Sequence, residues 1–220
     1  MKNIIPEGMR DFTIDECSKR NNIVGIVTEC FKNWGYNEIS TPIVEFYETF
    51  NHKTQSLREE EMYKFFDNKG RILVLRPDMT VPVARLVNSK LKEMELPLKL
   101  YYNANVYRVH ESFEGKRNEY LDCGIEFIGS DGPNIDLEVL VTALESLKAI
   151  DTKKDFKLEI GNVNILKSAL KDMNLSINDQ NKVTELINKK SLTSLKEYID
   201  NTNIKEEYKV FLSKLPWLFG

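Results

Sequence analysis

Apolar residues recur at helical intervals through Ile23, Val27, Cys30, Phe31 and Trp34, which predicts a helix over about residues 15–34. Thr13 and Glu16 stand at capping-box spacing ahead of it, and Gly35 is placed to stop it. Residues 37–46 form a β-rich stretch interrupted by Pro42. Proline supplies no ladder donor, so this strand is expected at an edge or a subunit boundary. Residues 52–61 are polar and read as a mobile loop, with Glu59-Glu60-Glu61 as a solvated face. A hairpin follows, with arms at 62–66 and 71–75 around Asp67-Asn68-Lys69-Gly70. The pattern then predicts a helix over about 81–91, strands over 98–109 and 120–128, and an amphipathic helix over 134–150. Leu137, Leu140, Val141, Leu144, Leu147 and Ala149 lie on or near the apolar face of that last helix.

Residues 156–160 read as one more strand. Beyond it the chain turns into short amphipathic helices rich in Lys, Asn and Leu, over about 163–211. The final Leu215-Pro216-Trp217-Leu218-Phe219-Gly220 is an apolar cluster at a terminus, which suggests a fold continued beyond this chain or an end docked on a partner. Hairpin-paired strands with helices between and after them predict an α/β (α+β) fold with a mainly antiparallel sheet. The expected division is a core over residues 1–160 and a helical segment over 161–220.

Composition narrows the function classes. Lys and Arg number 31 against 34 Asp and Glu, a formal net charge of −3. That balance lacks the basic excess of a protein that coats nucleic acid. No stretch approaches the roughly 18 apolar residues of a membrane span, and the N-terminus lacks the apolar core of a signal peptide. A cytoplasmic protein with no membrane contact is expected. Three cysteines without CxxC spacing read as reduced thiols, and His52 and His110 are too far apart to suggest a metal site. GxGxxG, GxxxxGK[ST] and GxSxG are all absent, so nothing indicates a backbone nucleotide cradle or a serine nucleophile. No cofactor, metal or catalytic residue is expected.

Candidate chemistry gathers at strand ends. Asp78 and Thr80 follow the strand at 71–75, and Arg108 closes the strand at 98–109. Asp122, Gly124 and Glu126 alternate along the next strand and therefore share one face, with Gly124 leaving room between the carboxylates. Two arrangements fit this spacing. The acids form a pocket for a small cation such as an amino acid's ammonium group, or they face solvent and pair with Arg76, Arg85 and Arg108. His110 reads as a loop histidine, and Tyr101-Tyr102 as strand packing.

Taken in order, Arg76-Pro77-Asp78-Met79-Thr80, Val106-Tyr107-Arg108 and Gly124-Ile125-Glu126-Phe127-Ile128-Gly129 resemble the class II histidyl-tRNA synthetase catalytic core. Pro6-Glu7-Gly8-Met9-Arg10-Asp11 and Asp136-Leu137-Glu138-Val139 fit the same pattern. Residues 36–46 are similar to the class II dimer-forming motif, which implies self-association through that segment. The resemblance covers about residues 5–160. It implies that Asp78, Thr80, Asp122 and Glu126 form a histidine-like pocket, although the family normally has glutamine at the Asp122 position. It also implies that Arg108, with Lys116 and Arg117, is the remnant of a phosphate or nucleotide site.

Around Arg108 the chain departs from a synthetase. His110 stands where the family has an adenine-reading glutamate, Gly115-Lys116-Arg117-Asn118 where it has an Arg-rich run, and Ser112-Phe113 where it has Pro-Gln. Losing a carboxylate acceptor and a bidentate donor removes adenine recognition and a phosphate clamp. The third class II motif and an anticodon-binding domain are not found, so a truncated chain is expected, with neither aminoacylation nor tRNA binding. The whole is similar to the branch of this family that serves as regulatory subunits of ATP phosphoribosyltransferase. That implies a hetero-oligomer with a catalytic subunit and feedback by histidine in the first step of histidine biosynthesis. Two alternatives stay open: a truncated histidyl-tRNA synthetase, and a histidine-binding paralogue acting on another partner.

Overall fold

The structure, a computed structural model, describes residues 5–51, 58–110, 116–150, 156–202 and 204–215 of the 220. By its contacts the chain divides into two compact units, Met1–Phe156 and Lys157–Gly220.

The first unit opens with α1 (Ile14–Asn33). The Glu16 carboxylate accepts from the Thr13 backbone N–H at 2.9 Å and its hydroxyl at 3.1 Å, satisfying the helix start. Gly35, at φ +81°, takes the left-handed conformation that ends it. Its N–H bonds Lys32 O at 2.8 Å, and the Tyr36 N–H bonds Phe31 O at 3.0 Å, the paired bonds of a Schellman stop. Tyr36 and Phe31 then pack together with Tyr101.

The β-rich stretch is not one strand. Pro42 separates β1 (Asn37–Glu38) from β2 (Val44–Phe46), and the two join different sheets. β1 lies parallel to β5 (Leu98–Tyr107), which pairs antiparallel with β6 (Glu119–Ile128) in the order β1-β5-β6. β2 lies antiparallel to β4 (Ile72–Leu75), which also pairs with β3 (Lys64–Phe66), in the order β2-β4-β3. Both halves of the divided stretch are edge strands among the described residues. A four-residue α2 (Tyr47–Phe50) follows β2, and Glu59–Glu61 form a single 3-10 turn.

Strand alternation sorts the β5–β6 sheet into two faces. Leu98, Leu100, Tyr102 and Val106 pack with Met79 and Val83 at the start of α3 (Thr80–Lys90). On the opposite face, Tyr101, Ile125 and Phe127 pack with Val27, Phe31 and Trp34 of α1 and its stop. α4 (Pro133–Ala149) runs beside α1. Its packing differs from the leucine stripe expected, since Leu137 and Leu147 are exposed while Thr142 and Ser146 are buried. Each buried hydroxyl donates to the carbonyl four residues back, Thr142 to Glu138 O at 2.8 Å and Ser146 to Thr142 O at 2.7 Å. So bonded, these small polar residues are buried with their hydroxyls satisfied, which a hydrophobic pattern does not register.

Arg76 ties the two sheets together. Only 4% exposed, its guanidinium donates to Asn105 O at 2.9 Å, Thr41 O at 2.7 Å and Pro42 O at 3.3 Å. Its backbone N–H bonds Ile43 O, and its carbonyl accepts from the Tyr107 N–H. One side chain thus links β4, β5 and the β1–β2 crossover. A second clasp is the buried Asn118. Its amide donates to the Tyr63 hydroxyl at 2.8 Å and to Glu7 O at 3.3 Å, while its Oδ1 accepts from the His110 N–H at 3.2 Å. Gly8, at φ +75°, lies so close that a Cβ there would overlap the Asn118 side chain.

Residues 156–160 make no strand. Phe156, Leu158 and Ile160 do alternate, but all three are exposed and no described strand pairs with them. Alternation makes a strand only when a ladder partner is present. The second unit is helical: α5 (Val163–Asp172), α6 (Ile177–Asn188), α7 (Leu192–Asp200) and α8 (Glu206–Lys214). They enclose their own core of Leu170, Val183, Leu195, Ile199 and Leu212. His52, Ser112, Phe113, Gly115 and residues 216–220 lie outside the described residues.

Replacing Arg76 by Met leaves the buried Thr41 carbonyl and the carbonyls of Pro42 and Asn105 without this donor. The expected loss is about 2–4 kcal/mol of stability, checked by urea denaturation. Gly8→Ala is expected to cost about 1–3 kcal/mol through its positive φ and the overlap with Asn118, read as a lowered thermal midpoint.

Candidate functional site

The site grows from the way three segments meet on the α3 side of the sheet. After Arg76 the chain turns through Pro77 into Asp78, whose Oδ1 accepts from the Val81 N–H at 3.1 Å at the opening of α3. Arg108, at the end of β5, donates from Nε to Pro77 O at 2.8 Å and fixes that turn from the other side. Across β5, the ten-residue register pairs Ala104 with Asp122, Tyr102 with Gly124, and Leu100 with Glu126. Asp122, Gly124 and Glu126 therefore share the face that carries Tyr102.

The room left at Gly124 is not empty. A Cβ on Gly124 would overlap the Tyr102 hydroxyl, so the phenol occupies the notch between the two acids. Tyr101, its neighbour, is strand packing as expected, with its hydroxyl donating to Glu38 at 3.0 Å. Tyr102 packs in the strand as expected, but its hydroxyl also reaches the face of the two acids, a placement the sequence reading did not include. The available signal was the cross-strand pairing of an aromatic residue with a glycine, which becomes visible only when the register is known.

The electrostatics are those of half-buried acids. Burial, more than any neighbouring charge, raises the Asp122 carboxyl above its usual range; Arg108 opposes the shift and Asp78 adds to it. Burial likewise raises Glu126, with hydrogen bonding from Thr80 opposing and the charges of Asp78 and Asp122 adding. Burial first, then Asp122, Glu126 and Asp78, holds the proton on the Tyr102 phenol well above the usual tyrosine range. Asp78, Thr80, Asp122 and Glu126 thus act on one another or on Tyr102 as one group.

Arginine neutralisation of this group is largely ruled out by geometry. Arg76 is spent on backbone carbonyls, and Arg85 pairs with the buried Glu45 at 2.6 Å. Arg108 alone exerts its charge on Asp122, and among the described residues no ion pair within 4.0 Å engages Asp122 or Glu126. Nor, among these residues, do three His, Cys, Asp or Glu side chains converge as a metal site. An anionic surface of this kind suits an organic cation.

The expected phosphate-site residues separate. Arg108 and Lys116 line one cleft of about 340 Å³ with Arg58, Glu60, Glu61 and His110. Arg117 instead lines a different groove with Arg10, Phe12, Arg20 and Leu121. The Asn118 clasp, tied to Tyr63 and to the Gly8 carbonyl, fixes the chain just after Arg117. His110 is half-buried at the cleft, where its backbone is held by Asn118.

Comparison with known proteins agrees with this architecture. The family described as Histidyl-tRNA synthetase matches residues 8–220. A protein of Clostridium acetobutylicum named ATP phosphoribosyltransferase regulatory subunit is 41% identical over 222 residues, covering 100% of this chain and 54% of its own length. Its namesake from Clostridium botulinum strain Langeland is 40% identical, covering 98% and 51%. The chain spans about half the length of the curated relatives it matches. A solved structure from Bacillus halodurans, described as an ATP phosphoribosyltransferase regulatory subunit/histidyl-tRNA synthetase, superposes with a TM-score of 0.88 at 33% identity, over 98% of this chain and 55% of that one. Histidyl-tRNA synthetase from a Nostoc species gives 0.79 at 19% identity over 100% and 50%, a likeness of fold alone. With its class II synthetase-like sheet and helices and a family match from Gly8 to the last residue, the chain belongs to the histidyl-tRNA synthetase family.

Proposed function

We propose that this chain is part of a regulatory subunit of ATP phosphoribosyltransferase, and that it serves the first step of histidine biosynthesis without performing the chemistry. The observation that carries the reading is its match, at 41% identity along its whole length, to a curated protein of that name. A catalytic subunit is the proposed partner, in a cytoplasmic hetero-oligomer. No described helix is long and apolar enough to cross a membrane.

Histidine is the proposed ligand of Asp78, Thr80, Asp122 and Glu126. Its ammonium group and ring supply the positive charge and N–H donors that half-buried carboxylates accept. Binding relieves the repulsion among the acids and favours one arrangement of sheet and neighbouring subunit. If that arrangement meets the catalytic subunit differently, histidine shifts the partner's activity by its differential affinity for the two states. Arg108 and Lys116, sharing one cleft, are proposed as a remnant phosphate site; the position of Arg117 in another groove argues against its joining them. Residues 36–46 are proposed to self-associate: Ile43, Val44 and Phe46 are exposed beside an unpaired strand edge among the described residues. A synthetase-like core followed by a helical segment is part of this reading, supported by the two compact units Met1–Phe156 and Lys157–Gly220.

The second reading, a histidyl-tRNA synthetase, is favoured by the double description of the Bacillus halodurans structure. The two are separated by assaying the full-length protein. A regulatory subunit raises phosphoribosyl transfer by its catalytic partner, makes that transfer sensitive to histidine, and supports no histidine-dependent pyrophosphate exchange. Robust exchange would assign the synthetase instead.

Glu126→Gln is expected to weaken histidine binding about ten- to hundredfold through loss of a charge-assisted bond, measured by calorimetry. The same variant should stabilise the ligand-free protein at neutral pH. An acid whose folded pKa is raised costs stability above that pKa, and the cost disappears as pH falls through it. The stability gain of the variant should therefore shrink on acidification, and wild-type histidine affinity should fall over the same pH range. Thermal midpoints and calorimetry across a pH series check both.

A further inference from the structure

Tyr102 is 7% exposed, and its hydroxyl has no hydrogen-bond partner among the described residues. Among the described residues, the partnerless side-chain polar atom that is also sealed from solvent is Arg85 Nε, so the Tyr102 hydroxyl keeps accessible surface. Gly124 sits directly across the ladder, and any larger residue there would collide with the phenol. The hydroxyl therefore stands above the midpoint of Asp122-x-Gly124-x-Glu126, two strand positions from each acid, roughly 7 Å along the strand in either direction. A buried phenol normally finds a partner. This one is directed at a group of carboxylates that hold no ion pair within 4.0 Å among the described residues.

We propose that the Tyr102 hydroxyl is a specificity-determining contact of this site, donating a hydrogen bond to a neutral acceptor on a cationic ligand, the bare ring nitrogen of an amino acid whose other end is an ammonium group. This rests on the reading that the acids bind histidine. The chemistry follows from what each group can do. Ionised carboxylates only accept, so they bind N–H groups and repel a carboxylate. Thr80 lies beside Glu126 and favours its ionised form. The phenol keeps its proton, because burial and the surrounding charge oppose its loss. It is thus the donor placed at the centre of an accepting surface. An aliphatic dication satisfies the acids but leaves this donor unused, while a singly protonated imidazole satisfies both. A site built around a donor discriminates most strongly against ligands without the matching acceptor.

The test compares wild type with Tyr102→Phe in the full-length protein, using histidine labelled at its ring nitrogens. Calorimetry should show affinity falling about five- to thirtyfold in the variant. Nitrogen NMR should show a singly protonated bound ring whose bare nitrogen carries the shift of a hydrogen-bond acceptor in wild type, lost in the variant. Unchanged affinity would overturn the proposal, and so would weakened affinity with an unchanged nitrogen shift, which marks packing alone. A doubly protonated ring in the wild-type complex would overturn it as well. Each of those leaves the histidine reading standing. If wild type binds no histidine, the reading of the site falls together with this proposal.

Discussion

Ten consecutive residue pairs, from Leu98–Ile128 to Tyr107–Glu119, join β5 to β6 without a bulge, and this register governs both the core and the site. A shift of one residue would exchange the faces of every side chain on the slipped strand. Leu98, Leu100 and Val106 pack against α3 only in this register, and only this register sets Tyr102 over Gly124 with an acid two positions to either side. The strand that stabilises the unit is thus the strand that arranges the chemistry. Packing of apolar residues and placement of acids cannot be altered independently.

Burial has opposite consequences for the two kinds of charge found here. Arg76 carries its charge into the interior with its donors spent on the carbonyls of Thr41, Pro42 and Asn105, which makes it a structural joint. Asp122 and Glu126 are held where their ionised forms are disfavoured, chiefly by desolvation. Groups that a protein leaves poorly compensated mark sites where function outweighs stability. The contrast separates an arginine whose hydrogen bonds hold the fold from acids whose charge no ion pair within 4.0 Å offsets among the described residues.

The clefts around the site show how a family resemblance changes meaning in three dimensions. Lys116 and Arg117 are neighbours in sequence, yet one lies with Arg108 and the other with Arg10 and Arg20. Asn118, part of a run compared with an Arg-rich loop, turns out to be a buried clasp on Tyr63 and the N-terminal segment. Its role is to hold the chain in place.

The sequence by itself determined most of the local structure, because local structure follows from local signals. Thr13 and Glu16 cap α1, Gly35 ends it, Pro42 keeps its neighbours at sheet edges, and the hairpin turns at residues 67–70. Period-two alternation also put Asp122 and Glu126 on one face before any partner strand was known. Tertiary structure decided the rest. It split residues 37–46 between two sheets, left residues 156–160 unpaired among the described residues, and buried Thr142 and Ser146 in place of Leu137 and Leu147. It also filled the Gly124 notch with Tyr102. The physical reason is common to all of these. A residue's periodicity is written in its own segment, whereas its ladder partner, the helix it meets and the ring that fills its space come from segments far away in the chain.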